Sequence, residues 1–223
     1  MHIYGSTASP FVQRVLMTAR LKGHEIALLP PPGGSVRSPG FVAISPMGRV
    51  PVLEDGDWRL CESEAIAAYL DEVLDGPPLL PADPRDRASA RQIVAIAAGE
   101  VGAGLRPVLL DRVFGMGDEP ALAEAGRAQL ARGLDAIERL LDPAHRMAAG
   151  DRPGVADALL APLLALMTII DPLADTAGLI AQRPRIAAYW ARAKADPVVA
   201  RSIGEMEEGF APVLRQAGAQ AAG

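Results

Sequence analysis

The chain has 223 residues, half of them hydrophobic yet only 4% aromatic, with a formal net charge of −5 at pH 7. That length holds one large or two modest domains, and apolar content drawn mostly from Ala, Leu, Val and Ile is the composition of packed helices. The acidic balance, with no Lys/Arg run interleaved with aromatics, excludes a nucleic-acid footprint; the single cysteine excludes an internal disulfide framework; and His2, His24 and His145 lack metal-ligand spacing, so no metal is expected.

Met1-His2-Ile3-Tyr4-Gly5 enters strand-like sequence with no basic leader, apolar segment or cleavage site, and the expected location is the cytoplasm. Residues 2–4 read as a short strand, with Tyr4 a core residue, and Ser6-Thr7-Ala8-Ser9 as a polar loop. Ser9-Pro10 opens a helix: serine is a strong N-cap, proline suits the first helical position, and Phe11, Val12, Val15, Leu16 and Ala19 follow at helical spacing. Lys22-Gly23 closes it. Residues 25–29 form a second strand, which makes a β-α-β start and argues for parallel pairing. The breaker Pro30-Pro31-Pro32-Gly33-Gly34 follows, then a loop over 35–43 with one helical turn near Phe41.

The stretch from Ile44 to Ile66 reads as strand, hairpin, strand and helix start. Val50, Val52 and Leu53 suit a pleated strand, Asp55-Gly56 is a hairpin turn signal, and Trp58 with Leu60 continues the pairing. Pro51 donates no ladder hydrogen bond, so it belongs at a strand start or edge, and an X-Pro bond is where a cis peptide costs least. Val50 is then expected to present its N–H and C=O at an open edge, a strip for an extended peptide. Glu62-Ser63 stands where the next helix begins; that N-terminus suits a carboxylate while the Glu62 side chain holds an ammonium. Strip and pocket together suit a zwitterionic peptide, although an edge proline and a serine N-cap are also ordinary structural features.

A helix over 63–74 turns Ala65, Ile66, Tyr69, Leu70 and Val73 inward. Asp75-Gly76-Pro77-Pro78 ends it, and Leu79-Leu80-Pro81-Ala82-Asp83-Pro84 is a connector, so the expected domains are 1–78 and 85–223 with a linker at 79–84. Beyond it every segment reads helical: 85–115, 120–141, 155–171, 184–196 and 197–206, with an Ala/Gly/Gln tail after Arg215 expected to fray. The longest apolar run, between Asp157 and Asp171, contains Pro162 and falls short of the roughly 20 residues that span a bilayer. It is expected as a kinked core helix, and no membrane partner is expected.

This layout resembles that of the cytosolic glutathione transferases over nearly the whole chain. The resemblance implies an N-terminal thioredoxin-like α/β domain followed by an all-α C-terminal helical bundle, as a homodimer. Val50-Pro51 looks like the family's backbone-binding residue before a cis proline. Glu62-Ser63-Glu64-Ala65-Ile66 is similar to the segment that holds the γ-glutamyl end of glutathione, and Arg183-Pro184-Arg185-Ile186-Ala187-Ala188-Tyr189-Trp190 with Asp196-Pro197 to its C-terminal segment. Tyr4-Gly5-Ser6-Thr7-Ala8-Ser9-Pro10-Phe11 resembles the serine-type first loop and helix, which makes Ser9 the candidate catalytic residue, with Ser6 and Thr7 as alternative donors. Arg37 is a candidate for the glycyl carboxylate.

The physical role of Ser9 stands apart from the resemblance. A hydroxyl is no base at pH 7, but it donates a hydrogen bond to a thiolate and so favours the charged form, as does the helix N-terminus behind it. Ser-Pro is equally an ordinary helix start. Cys61, beside Glu62 and Glu64, is expected to behave as a small hydrophobe with a raised pKa. Two departures blur the class within the family: Ser45-Pro46 stands where Asn-Pro is common, and Gly154-Val155-Ala156-Asp157 keeps the acid of a capping box without its hydroxyl. The Ser-Ser-Cys loop of zeta-type isomerases is absent.

The expected reaction is conjugation of the thiolate of glutathione, as co-substrate, to a hydrophobic electrophile, with no metal or nucleotide needed. The loop Ser6–Ala8 and the helix residues Leu105, Val108, Leu109, Arg112 and Val113, which recur at helical spacing, are candidates for the acceptor side, the helix residues being otherwise ordinary bundle core. Alternatives are a glutathione-dependent peroxidase or isomerase on the same site, or a binding module without turnover.

Overall fold

In the computed structural model, which describes residues 1–117 and 120–221 and side chains as far as 216, four short strands form one sheet in the order β2-β1-β3-β4. Strand β1 (His2–Tyr4) runs into α1 (Pro10–Leu21), which crosses to β2 (Ala27–Leu29), parallel to β1. The three residues of β1 offer partners only to Ala27, Leu28 and Leu29, which is why β2 is shorter than the apolar run that encodes it. The helical turn α2 (Pro39–Val42) carries the fully buried Phe41. Strands β3 (Val52–Asp55) and β4 (Trp58–Cys61) form the hairpin about Gly56, and α3 (Ser63–Val73) closes the unit.

Helix α1 is the element both cores share. Ser9 caps it, accepting a hydrogen bond from the Val12 N–H at 3.4 Å, and Pro10 takes the first position, as the Ser-Pro signal predicts. Val12, Val15, Leu16 and Ala19 pack on Ile3, Leu53, Ile66 and Leu70, while Met17 belongs to the helical core on the other side. Each large apolar side chain so buried contributes about 1.5–3 kcal/mol. At the end of α1 the Lys22 ammonium donates to Asp71 Oδ1 at 3.0 Å and to the Asp71 carbonyl at 2.8 Å, tying α1 to α3. Gly76, at φ 123°, lies so close that a Cβ there would collide with the Lys22 carbonyl.

Residues 84–113 form one unbroken helical run: α4 (Pro84–Ile96), a π-turn at Ala97–Gly102, α5 (Ala103–Val108) and a second π-turn at Leu109–Val113. By length and composition this run, and not the segment after Asp157, is the one among the described residues long and apolar enough to cross a bilayer. Its buried residues pack in the helical core, and Glu100 and Arg106 sit within it. Then follow α6 (Pro120–Leu140), α7 (Val155–Ile169), α8 (Asp171–Ala174), α9 (Ala177–Ala181), α10 (Pro184–Ala193) and α11 (Pro197–Ala221). Helix α7 continues through Pro162 with 13 buried residues of 15. The last helix extends well past the expected end at 206 because Met206 and Phe210 are buried against the core.

Candidate active site

A cleft of about 150 Å³ opens beside the start of α3, and Val50, Glu62 and Ser63 all line it. The Val50–Pro51 peptide is cis. The expectation of an open strand edge needs correction: β3 is a central strand, flanked by β1 and β4. Val50 is free because it precedes the ladder, whose first rungs join Val52 to Tyr4 and to Cys61. Among the described residues nothing hydrogen-bonds its N–H or C=O. Ser45, 1% exposed, holds the turn that delivers it: its hydroxyl accepts from the Arg49 N–H at 3.0 Å and donates to the Arg49 carbonyl at 2.8 Å.

On the opposite wall, Glu62 occupies the N-cap of α3 with φ 70° and ψ 114° and makes no side-chain cap, so Ser63 is the first helical residue and not the cap. A glutamate at positive φ costs on the order of 1–3 kcal/mol, a cost sustained where the surroundings demand that geometry. The first N–H groups of α3 point out of the helix end without intrahelical partners. Ser63 is buried beside them.

The guanidinium of Arg14, a residue outside the sequence-predicted site, also reaches this cleft. It is 4% exposed, its nearest carboxylate is Glu64 at 3.9 Å, and its Nε has no partner among the described residues. Burial pushes its pKa down and Glu64 pushes it up, yet a guanidinium titrates so far above neutrality that it stays charged. A half-paired buried cation on a cleft wall calls for an anion. The one signal in the sequence is the spacing of Arg14, three residues after Phe11 and one before Val15, on the apolar stripe of α1. Phe11 and Ala98 supply apolar wall, and Arg49 stands at the rim.

Two candidates lie off this wall. Arg37 is exposed in the loop before α2, where its N–H donates to Ser35 Oγ at 3.1 Å; Arg49 is the basic residue that its region delivers to the cleft. Ser9 is half-buried at the N-cap of the helix whose Phe11 and Arg14 line the cleft. Capping uses a lone pair on its oxygen and leaves the O–H to donate elsewhere. Cys61 faces the Ile44 carbonyl at 3.5 Å, and burial, then Glu62, push its thiol up, so it is a poor nucleophile.

For most of the acceptor-side candidates on the long helix, the alternative reading as ordinary bundle core is the one that holds. Leu105, Val108 and Val113 are buried in the helical core, Leu109 packs against it, and Arg112 pairs with Asp111 at 3.0 Å and Glu124 at 3.6 Å. Of residues 84–113, Ala98 alone lines the cleft.

A thioredoxin-like sheet unit, a cis-proline strand and an appended helical unit define the class of two-domain thioredoxin-like proteins. The family model for the glutathione S-transferase N-terminal domain matches residues 3–78, and that for the C-terminal domain matches residues 120–192. A maleylacetoacetate isomerase of Pseudomonas aeruginosa is 36% identical over 172 residues, 72% of this chain and 77% of its own. Glutathione S-transferase 3 of Zea mays is 31% identical over 214 residues, 91% of this chain and 93% of its own. The solved structure of a maleylacetoacetate isomerase from Methylobacterium extorquens AM1, with bound malonate and GSH, superposes with a TM-score of 0.74 at 30% identity, over 93% of this chain and 97% of that one. The chain therefore belongs to the glutathione S-transferase family, whose co-substrate is glutathione.

Proposed function

We propose that this chain is a glutathione transferase that joins the sulfur of glutathione to an electrophilic carbon. The observation that carries the reading is the convergence on one cleft of Val50, with its unpaired main chain, and the Glu62-Ser63 tip of α3, beside the helix that Ser9 caps. Val50 pairs with the cysteinyl backbone, Glu62 takes the γ-glutamyl ammonium, and Ser63 with the α3 N-terminus and Arg14 takes its carboxylate. Arg49, in preference to Arg37, meets the glycyl end. The Ser9 hydroxyl donates to the thiolate; the thiol proton leaves to solvent, the sulfur pair attacks carbon, and with an aryl halide the halide departs. On this reading residues 1–78 bind glutathione, 79–84 connect, and 85–223 complete a site used within a homodimer.

Retention on immobilised glutathione, then turnover of an aryl halide by wild type and Ser9→Ala, tests the reading. A hydroxyl that lowers a thiol from about 8.5 to about 6.5 stabilises the thiolate by roughly 2.7 kcal/mol, so Ser9→Ala is expected to lose roughly 25-fold in rate at pH 7. Equal rates for the two proteins would refute Ser9 as the donor. The 36% identity to a maleylacetoacetate isomerase favours a second reading, a glutathione-dependent isomerase. Faster turnover of an unsaturated keto acid than of the aryl halide decides for it.

A further inference from the structure

The loop Ser6–Ser9 is held from the far end of the chain. Gln13, fully buried in α1, donates from Nε2 both to the Thr7 carbonyl at 3.0 Å and to Glu205 Oε2 of α11 at 3.2 Å. The amide orientation is unambiguous, because both partners are acceptors and only the NH₂ side satisfies them. Glu205 is in turn gripped by Arg20, through NH1 at 3.0 Å and NH2 at 2.7 Å, and by Arg201 Nε at 3.0 Å, while Arg201 also pairs with Glu25. One turn further along α11, Gly209 lies against the same loop: a Cβ there would stand 2.7 Å from Thr7 Oγ1 and 2.8 Å from the Ala8 nitrogen. The loop's other hydrogen bonds stay within residues 6–13.

From this arrangement we propose that Gln13 is a positioning residue that couples the seating of α11 to the hydroxyl donor of the Ser6–Ser9 loop. The inference rests on the transferase reading above but concerns a residue that binds neither glutathione nor acceptor. With the Thr7 carbonyl anchored, the Thr7–Ala8 peptide has one orientation, and the Ala8 N–H is turned to Ser6 Oγ at 3.3 Å. The Ser9 N–H closes the turn on the Ser6 carbonyl at 3.1 Å, so the anchor sets where the loop hydroxyls stand. A helix that begins nearly 190 residues later in the chain thereby helps to set how well the thiolate is stabilised.

The test is the pH profile of kcat/KM with an aryl halide, with the KM for glutathione and the melting temperature measured alongside. Gln13→Leu is expected to move the acidic limb of the profile up by about one pH unit, a tenfold loss at pH values below both midpoints, with the KM for glutathione changed by less than about twofold. Glu205→Gln keeps an acceptor for Gln13 and is expected to retain the wild-type limb although its ion pairs are gone; Glu205→Leu removes the acceptor and is expected to reproduce the Gln13→Leu shift. A lower melting temperature with an unmoved limb in both Gln13→Leu and Glu205→Leu makes the network merely structural and overturns the proposal. Should Gln13→Leu not fold, the two variants at 205 decide on the same criterion. Ser9→Ala separates this proposal from its foundation: a limb shifted by Ser9→Ala but not by Gln13→Leu sinks only the coupling, whereas a limb shifted by Gln13→Leu alone upholds the coupling and reassigns the donor to Ser6 or Thr7.

Discussion

Helices α1 and α7 lie against each other at the centre of the molecule, are buried to a similar degree, and have opposite chemistry. Helix α7 hides a nearly continuous apolar surface, with Asp157 as its polar exception. Helix α1 hides Gln13, Arg14 and Thr18 among its apolar residues, and the first two have atoms without a partner among the described residues: Gln13 Oε1 and Arg14 Nε. Burying a polar group costs free energy unless every atom is satisfied. The contrast therefore separates a helix selected for packing from one whose polar side chains serve the cleft and the loop beside it, at some cost to stability.

The largest way to break that contrast is to damage the apolar helix. Leu164→Ala, at a fully buried position, is expected to destabilise by about 3 kcal/mol through lost transfer energy and a cavity. Denaturant unfolding reads the loss, and kcat/KM of the folded fraction is expected to stay near wild type. The reverse experiment is Arg14→Met. It removes a half-paired buried charge, so stability is expected to hold or rise, while the KM for glutathione rises roughly 30-fold, the worth of a charged hydrogen bond of about 2 kcal/mol. A drop in stability with unchanged KM would make Arg14 a structural residue like those of α7.

Two acids sharpen the comparison by titrating in opposite senses. Burial raises the Asp157 carboxyl above its ordinary 3.8, against the N–H groups of Ala148 and Gly154 that lower it. An acid whose folded value is raised loses stability as pH climbs from its unfolded value through its folded one, so Asp157→Asn is expected to flatten a decline that begins near pH 4. At Glu205 burial also resists ionisation, but the hydrogen bond and charge of Arg20, with Gln13 and Arg201, outweigh it and hold the carboxyl below its ordinary 4.5. Its contribution is present above that value and fades as pH falls through the lowered one. Thermal melts of Glu205→Gln against wild type are expected to differ most near neutral pH and to converge near pH 3. The difference is about 1 kcal/mol or less, the range of partly exposed ion pairs.

The elements that border the cleft were legible because their signals are local. Ser9-Pro10 marks a helix start from two adjacent residues, Asp55-Gly56 marks a hairpin, and Glu62-Ser63 sits where one strand must end and a helix begin. The central place of β3 was not legible, because its partners are chosen by packing α1 and α3 on one face of the sheet and not by its own alternation. Leu105, Val108 and Val113 have the spacing of a cleft wall and of a bundle core alike, and only the positions of α6 and α7 assign them to the core.

Composition, turn chemistry and short-range spacing determined the element order, the β-α-β start with its hairpin, the helical second half, and the residues at the tips of α1 and α3; the thioredoxin-like architecture was what the family resemblance implied. Those properties depend on neighbours within a few residues, whose energetics are the same in any fold. Tertiary structure alone decided that Val50 is free by lying beyond its ladder, that Arg49 and not Arg37 reaches the cleft, and that Gln13 meets Glu205 across 192 residues. Each of these depends on the closing of long loops around two shared cores, where burial energy summed over many side chains selects the partners and no local pattern records the choice.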